Sequence, residues 1–156
     1  AFSGNYLFAG TAYSSLMRSS DNGNNWTKLE GGLKGSSCEL VYVSPNNYIF
    51  AQTDSGLYRS TNSGNNWQLL MSSFVSFNAI VNNQNGVLFG AGSYPSFGVL
   101  KSTNSGLNWE MTSTSFSASV YSLCITSNGI LFAGTAGGGV YRSNNDGASW
   151  IQCQPS

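Results

Sequence analysis

The feature that most constrains this chain is a fourfold repeat marked by its tryptophans. The four tryptophans stand at positions 26, 67, 109 and 150, at intervals of 41, 42 and 41 residues. Each closes an octapeptide of the form Ser-x-Asp/Asn-x-Gly-x-x-Trp, and the four are SSDNGNNW, STNSGNNW, STNSGLNW and SNNDGASW. Self-similarity at a period of about 40 residues indicates one structural motif built several times.

Each repeat has the pattern of four short β-strands. Its apolar segments are short and end at Asn, Gly, Ser or Pro, which is typical of strands and not of helices. In the second repeat the strands are predicted at 38–43, 48–53, 56–60 and 67–71. A four-stranded antiparallel meander that recurs every ~40 to 50 residues is the blade of a β-propeller. We therefore predict an all-β propeller domain over residues 1–156, with blades at about 1–31, 32–72, 73–113 and 114–156.

The first repeat is predicted to be incomplete. Residues 1–11 align with residues 125–135, so the first blade lacks its strand one. An incomplete seam leaves a strand edge, and exposed edges pair with other chains. Two alternatives follow: the chain is a fragment of a larger propeller, or another copy completes the ring as a homo-oligomer.

The octapeptide has a mechanical explanation. The Asp or Asn at its third position can accept hydrogen bonds from backbone N–H groups of the same turn, and its glycine supplies a positive φ. The tryptophan then packs between sheets and anchors the turn. The residues assigned this structural role are Ser19, Asp21, Gly23, Trp26, Ser60, Asn62, Gly64, Trp67, Ser102, Asn104, Gly106, Trp109, Ser143, Asn145, Gly147 and Trp150.

These four octapeptides resemble the Asp-box, also called the BNR repeat. The resemblance implies a β-propeller of the group that includes sialidases, xyloglucanase-type glycoside hydrolases, sortilin-like receptors and photosystem II assembly factors. Three of the four boxes carry Asn where the family prefers Asp, but Asn keeps the acceptor oxygen. Because functions differ across that group, the resemblance implies a fold and no single activity.

Composition excludes several classes of function. Only 8% of the residues are charged and the net charge is zero, which leaves no electrostatic footprint for nucleic acid or an anionic membrane. The chain has no His and its three cysteines form no CxxC pair, so we predict no metal and no cofactor. No apolar run is long enough for a membrane helix. The polar, uncharged composition suggests an extracellular or periplasmic protein whose signal peptide is absent from this chain.

Candidate ligand-binding residues lie on the rim opposite the boxes. The predicted binding residues are Tyr13, Asp54, Tyr94 and Phe97, with Phe74, Phe77, Phe116, Glu30 and Lys34 on the same rim. Aromatic rings with few charges suit sugar rings or a partner surface. The alternative is that most of these rings fill the core between blades.

Four basic residues occupy one equivalent position, immediately before the box serine. They are Arg18, Arg59, Lys101 and Arg142. They could form a basic ring that faces an acidic partner. Alternatively, each could cover the edge of its sheet and bond loop carbonyls.

We favour a non-catalytic binding or scaffold module that recognises a glycan or a protein surface. The alternative is a fragment of a secreted glycoside hydrolase, xyloglucanase-like or sialidase-like. TDSGLYR (53–59) is similar to the TDxGGxYR stretch in which xyloglucanase-type enzymes place a catalytic aspartate, and this resemblance implies Asp54 as a candidate acid. Glu30 is the nearest candidate for the second carboxylate that such hydrolysis requires. Nothing carries over from the sialidase site.

Overall fold

The structure is a computed structural model. It describes residues 1–72, 75–92, 98–112, 116 and 118–154. The chain divides into two compact units, Ala1–Ser76 and Phe77–Ser156. Within the described residues every regular element is a β-strand, and the strands form four separate antiparallel sheets of four strands each. We call these sheets blades and number them in chain order.

The first compact unit contains the first two blades. The first blade consists of β1 (Phe2–Ser3), β2 (Tyr6–Gly10), β3 (Leu16–Ser19) and β4 (Thr27–Lys28). The second blade consists of β5 (Cys38–Val43), β6 (Ile49–Thr53), β7 (Gly56–Ser60) and β8 (Gln68–Ser72). The strands predicted for the second repeat are confirmed to within one residue at each end.

The second compact unit contains the other two blades. The third blade consists of β9 (Phe77–Asn82), β10 (Leu88–Gly92), β11 (Gly98–Ser102) and β12 (Glu110–Met111). The fourth blade consists of β13 (Val120–Ile125), β14 (Leu131–Thr135), β15 (Gly139–Ser143) and β16 (Ile151–Gln152). Each blade is a meander in which consecutive strands pair as neighbours.

One detail of the prediction needs correction, because the first blade does have a strand one. The two-residue β1 pairs with β2, with Phe2 opposite Leu7. The Phe8 N–H donates to the Ala1 carbonyl at 2.8 Å and the Ala1 amine donates to the Phe8 carbonyl at 3.0 Å, which extends this short pairing. A strand of 2 residues is too short to show in a comparison with the other repeats, in which β5, for example, has 6 residues.

The second and third strands hold equivalent residues in the same register in every blade. In each blade, a phenylalanine of the second strand lies opposite the basic residue of the third strand that precedes the box serine. These pairs are Phe8 with Arg18, Phe50 with Arg59, Phe89 with Lys101 and Phe132 with Arg142. All residues of β6 and β10 are buried, so both faces of these strands are covered. Burial on both faces explains why their sequences do not alternate between apolar and polar.

The box turns share one hydrogen-bond pattern. The box serine hydroxyl accepts from the box glycine N–H, at 2.9 Å in Ser60 and Gly64. The third-position side chain accepts from the N–H four residues later, at 2.9 Å in Asn62 and Asn66. The same two bonds occur in the other three boxes, with donor to acceptor distances of 2.9 to 3.0 Å. The turn is therefore closed by neutral side chains in three boxes and by a carboxylate in one.

Each box turn contains two successive residues with positive φ. The glycine is one of them, as the sequence suggested, with φ of 84° at Gly64. The residue before it is the other, with φ of 58° at Ser63 and 53° at Asp146. Non-glycine residues seldom adopt this conformation, and polar residues with short side chains tolerate it best. The octapeptide pattern alone does not predict this second constraint on the turn.

The box tryptophans differ in burial. Trp67 and Trp150 are each 8% exposed and belong to the cores of their compact units. Trp109 is half-buried, with its ring centroid 4.9 Å from that of Phe77. Trp26 is 40% exposed, so the expected packing of every box tryptophan between sheets does not hold there. In the first compact unit Trp67 packs with the blade that precedes its own, and the first blade has no preceding blade in that unit.

Candidate functional site

Two of the predicted binding residues, Tyr13 and Asp54, lie in the first compact unit. Tyr13 is in the turn between β2 and β3, and Asp54 is in the turn between β6 and β7. Because each blade is an antiparallel meander, these turns lie at the edge opposite the box turns. The connection from β4 to β5, residues 29–37, runs along the same edge.

A rigid turn carries the Tyr13 side chain. The Thr11 N–H and the Thr11 hydroxyl both donate to the Ser15 carbonyl, at 2.8 Å and 3.0 Å. The Ser14 N–H donates to the Thr11 hydroxyl at 2.9 Å. The Tyr13 side chain is 94% exposed. The turn therefore holds an aromatic ring in solvent with little freedom in the backbone beneath it.

Hydrogen bonds from Ser36 surround the Asp54 carboxylate. The Ser36 hydroxyl donates to Oδ2 at 2.5 Å, and the Ser36 N–H lies 3.1 Å from each carboxylate oxygen. These bonds, the hydroxyl first and the amide second, lower the pKa of Asp54 below its usual value of 3.8. Asp54 is therefore an anion at neutral pH.

Tyr13 and Asp54 are brought together by the same residue. The Ser15 N–H, at the end of the Tyr13 turn, donates to the Ser36 carbonyl at 2.9 Å, while the N–H and hydroxyl of Ser36 bind Asp54. The surface formed by Tyr13, Ser36 and Asp54 is named here the Tyr13 surface. It combines one exposed aromatic ring with one exposed carboxylate.

The remaining aromatic candidates either lie outside the described residues or are buried. Three of them, Phe74, Tyr94 and Phe97, lie outside the described residues. Phe77 is 1% exposed and packs on Trp109. Phe116 is 8% exposed, and its ring meets that of Tyr141 edge to face at 5.0 Å. The core alternative therefore applies to Phe77 and Phe116.

The other charged candidates on this edge contribute backbone groups to its structure. The Lys34 carbonyl accepts from the Thr53 hydroxyl at 2.8 Å, and the Glu30 carbonyl accepts from the Leu33 N–H at 2.8 Å. The side chains of Glu30 and Lys34 are exposed.

The basic position before the box connects neighbouring blades. Arg18 of the first blade donates to the Ser63 carbonyl at 2.7 Å and to Asn65 Oδ1 at 2.9 Å, both in the second blade's box. In the second compact unit, Lys101 of the third blade lies 3.9 Å from Asp146 of the fourth blade's box. At Arg18 and Lys101 the structural alternative therefore fits better than a basic ring open to a partner.

A groove lined mainly by amide side chains lies on the box edge of the second compact unit, where the sequence predicts no site. Its volume is about 560 Å³, and its lining residues are Asn83, Gln84, Asn85, Ser127, Asn128, Gly129, Asn144, Asn145 and Asp146. The equivalent position in the first compact unit has a groove of about 410 Å³ lined by Ser3, Gly4, Asn5, Tyr6, Asn47 and Ser63. In the sequence, the runs NNQNG (82–86) and TSNG (126–129) contain several of these lining residues, but such runs are typical of ordinary turns.

The described residues contain no group of three or more His, Cys, Asp or Glu side chains placed to hold a metal ion. Cys38 is buried, Cys124 and Cys153 are exposed, and all three are free thiols. Among the residues that the structure describes, there is no helix with the length and apolar character needed to cross a membrane.

Comparison with known families agrees with this architecture. The model of the DUF6242 beta propeller domain matches residues 4–93, which is more than half of the chain. The chain belongs to this family. No curated protein sequence matches the chain at a significant level.

Solved structures similar to this propeller chain come from several kinds of protein. An ancestral GH74 enzyme is 25% identical over 97% of this chain and 22% of its own, with a TM-score of 0.81. The extracellular domain of BT4673 from B. thetaiotaomicron is 20% identical over 96% of this chain and 21% of its own, with a TM-score of 0.77. YCF48 bound to D1 peptide is 21% identical over 97% of this chain and 51% of its own, with a TM-score of 0.67. This chain thus spans about a fifth of the first two and half of the third.

Proposed function

We propose that this propeller is a non-catalytic module that binds a neutral glycan on the Tyr13 surface. The observation that supports this most is the Tyr13 ring, which is 94% exposed on a turn closed by three hydrogen bonds. A ring held on a rigid backbone binds a flat apolar partner at a small cost in conformational entropy.

A sugar ring matches the chemistry of this surface. Its C–H face can stack on the Tyr13 ring, while its hydroxyl groups donate to the remaining lone pairs of Asp54. A carboxylate accepts up to about four hydrogen bonds, and the Ser36 N–H and hydroxyl and the Ser55 hydroxyl supply donors to only part of that capacity. Because Asp54 is an anion, it would repel acidic sugars at close range, and we therefore propose a neutral oligosaccharide.

The environment of Asp54 favours binding over catalysis. The general acid of a glycoside hydrolase needs a raised pKa so that it is protonated at working pH. Ser36 instead lowers the pKa of Asp54. The turn of the first blade has Ala12 and Tyr13 at the position where the second blade has Asp54, so it offers no paired carboxylate.

A fragment of a glycoside hydrolase is the second candidate function. It is supported by the likeness to the ancestral GH74 enzyme and by the TDSGLYR stretch around Asp54. Asp54 could then act only as a base or nucleophile in this environment, and residues outside this chain would complete the site.

Measurements of oligosaccharide binding and of oligosaccharide hydrolysis separate the binding module from the hydrolase fragment. The chain is screened against an array of neutral oligosaccharides that includes xyloglucan fragments, and the best binder is titrated by calorimetry. Tyr13→Ala should raise the dissociation constant by at least about tenfold, or about 1.4 kcal/mol. Tyr121→Ala, which removes another tyrosine that is 59% exposed, is the matched control and should leave the constant unchanged.

The same protein is then incubated with a fluorogenic glycosidase panel. Binding without turnover supports the module. Turnover that Asp54→Asn abolishes supports the hydrolase fragment instead. If the array shows no bound glycan, or if Tyr13→Ala and Tyr121→Ala bind equally well, the proposal is wrong.

We also infer that the four octapeptides are Asp-boxes and that the protein works outside the cytoplasm. The first inference is supported by the shared serine and third-position hydrogen bonds in all four turns. The second is supported by the low charge of the chain and by its likeness to the extracellular domain of BT4673. Fractionation of source cells, with detection of this chain by antibody, tests the location.

A further inference from the structure

The groove on the box edge of the second compact unit, named here the amide groove, lies between two blades. The third blade contributes the turn that joins β9 to β10, and the fourth blade contributes the turn that joins β13 to β14 and the box turn. The volume of the groove is about 560 Å³, within the range of about 300 to 1,000 Å³ that is usual for ligand sites. Both of its walls are formed by blades of this chain.

The floor of the amide groove is a hydrogen bond between the two blades. Asn83 stands where the equivalent turns of the second and fourth blades begin with Ser or Thr, and its Oδ1 accepts from the Val87 N–H at 3.0 Å. Because an amide has a second end, Asn83 Nδ2 can also donate to Asp146 Oδ1 of the fourth blade, at 3.2 Å. Asn83 is 7% exposed, so this contact lies beneath the groove.

Two amide side chains, one on each wall, keep one end for a ligand. Gln84 Nε2 donates to the Ser127 carbonyl at 2.5 Å, which leaves Gln84 Oε1 as an acceptor. Asn128 Oδ1 accepts from the Thr126 hydroxyl at 2.5 Å, which leaves the Asn128 NH₂ group as a donor. Both side chains are exposed. The third blade therefore offers an acceptor and the fourth blade offers a donor.

Asp146 supplies a negative charge to the amide groove, and it is the one charged residue among the described residues that line it. Its carboxylate lies 3.9 Å from Lys101 Nζ, which is a long distance for an ion pair, and its side chain is 42% exposed. A carboxylate accepts up to about four hydrogen bonds, so Asp146 can accept more from a cation that enters the groove. The exposed side chains of Asn85 and Asn144 add two further amide groups.

Three residues of the amide groove differ from the residues at the same positions of the other blades. The equivalents are Pro45 and Ser127 for Gln84, Ser20, Thr61 and Thr103 for Asn144, and Asn22, Ser63 and Ser105 for Asp146. The turns therefore form without these side chains, and the fold does not require them. The described lining of the equivalent groove in the first unit has two amide side chains, Asn5 and Asn47, and no charged residue.

We propose that the amide groove binds a peptide segment in extended conformation, with a Lys or Arg side chain of the peptide directed at Asp146. The peptide backbone presents N–H groups that can donate to Gln84 Oε1 and carbonyl groups that can accept from the Asn128 NH₂ group. A sugar is a poorer match, because the described lining residues include no aromatic ring on which it could stack. This site lies on the edge opposite the Tyr13 surface and would bind a different class of ligand.

A heteronuclear NMR titration of the isotope-labelled full chain tests the proposal, because each Asn and Gln NH₂ group gives resonances of its own. The probes are blocked hexapeptides of Ser, Thr and Val with a central Lys, norleucine or Glu. The Lys peptide should shift the NH₂ resonances of Asn85, Asn128 and Asn144. It should bind about threefold more tightly than the norleucine peptide, a factor typical of an exposed ion pair, and the Glu peptide should bind most weakly.

Two variants that other boxes already carry test the groove without removing a group that the turn needs. Asp146→Asn gives the residue found at Asn22, and it keeps an acceptor for Asn83 while it removes the charge. This variant should bind the Lys and norleucine peptides equally well. Asn144→Thr should weaken the Lys peptide at least about twofold, the effect of one lost hydrogen bond. Asp21→Asn, which removes a carboxylate from the first box, is the matched control and should change no affinity.

The proposal is overturned if no peptide shifts these resonances, if the Lys and Glu peptides bind equally well, or if Asp146→Asn keeps the preference for Lys. A neutral oligosaccharide that shifts the same resonances when the peptides do not would also overturn it. Tyr13→Ala should leave peptide binding unchanged. The peptide site and the proposed glycan site can therefore fail independently of each other.

Discussion

Truncating Trp67 and truncating Trp26 make a matched test of how the box tryptophans stabilise the fold. Both residues close a box in the first compact unit, and both donate their indole N–H to the carbonyl of the box glycine at 3.0 Å. They differ in burial, at 8% exposed for Trp67 and 40% exposed for Trp26. Replacing each by alanine therefore removes the same hydrogen bond but different amounts of buried surface.

The burial of each tryptophan predicts how much the two alanine variants differ in the free energy of unfolding that they lose. Truncating a large buried aromatic side chain to alanine costs about 3 to 5 kcal/mol, which we expect for Trp67→Ala. The difference between exposures of 8% and 40% is 32 percentage points of the residue surface. On an aromatic side chain that buries up to roughly 250 Å², this is about 80 Å², or about 2 kcal/mol at about 25 cal/mol per Å². Trp26→Ala should therefore cost about 2 kcal/mol less.

Urea unfolding followed by far-ultraviolet circular dichroism measures both variants, because this signal arises mainly from the backbone and each variant is compared by its unfolding transition. The protein is kept dilute so that association between copies does not add to the stability. Trp67→Phe is the control, since it keeps an aromatic ring in the same cluster and should lose less free energy of unfolding than Trp67→Ala.

Equal losses of unfolding free energy at Trp67 and Trp26 would refute this reasoning. They would mean that the shared hydrogen bond to the box glycine, and not burial against the neighbouring blade, stabilises the turn. A larger loss at Trp26 would also refute it.

Three further predictions concern single side chains. Hydrogen bonds, the largest from the Asn25 backbone N–H, lower the pKa of Asp21 from 3.8 to about 2. The stability that the Asp21 carboxylate contributes is therefore present above pH 3.8 and disappears as the pH falls through about 2. Asp21→Asn should remove that part of the acid sensitivity when unfolding is measured as a function of pH. Ser60→Ala should cost about 1 to 3 kcal/mol in urea unfolding, because it leaves the buried Gly64 N–H unpaired. Burial raises the pKa of the Cys38 thiol from 9.0 to about 12, so Cys38 should react with a thiol reagent at pH 8 only after denaturation.

The repeat made most of the fold predictable from the sequence. Strand ends in the second blade follow from turn residues such as Asn47, which adopts a φ of 59°, and Gly56, which adopts a φ of 134°. The first strand of the first blade was missed because two residues are too short to show a period. The positive φ of Ser63 was missed because nothing in a serine marks that conformation.

The candidate site was less predictable, for a physical reason. Tyr13 and Asp54 were identified one by one as residues of turns on the same edge. Their junction at Ser36 depends on the connection between blades, and such a connection has no hydrophobic period from which its path could be inferred.

The two edges of each blade differ in what they can contribute to recognition. On the box edge the same serine and third-position bonds recur in every blade, so a change there removes a hydrogen bond that the fold requires. On the opposite edge the turn residues differ from blade to blade: they are Ala12 and Tyr13, then Asp54 and Ser55, then Ser93 and Tyr94, and in the fourth blade Ala136 and Gly137. A residue that recurs with the fold cannot distinguish one ligand from another, whereas a residue that occurs once can. We therefore expect any specific recognition to occur at the positions where the repeat is broken.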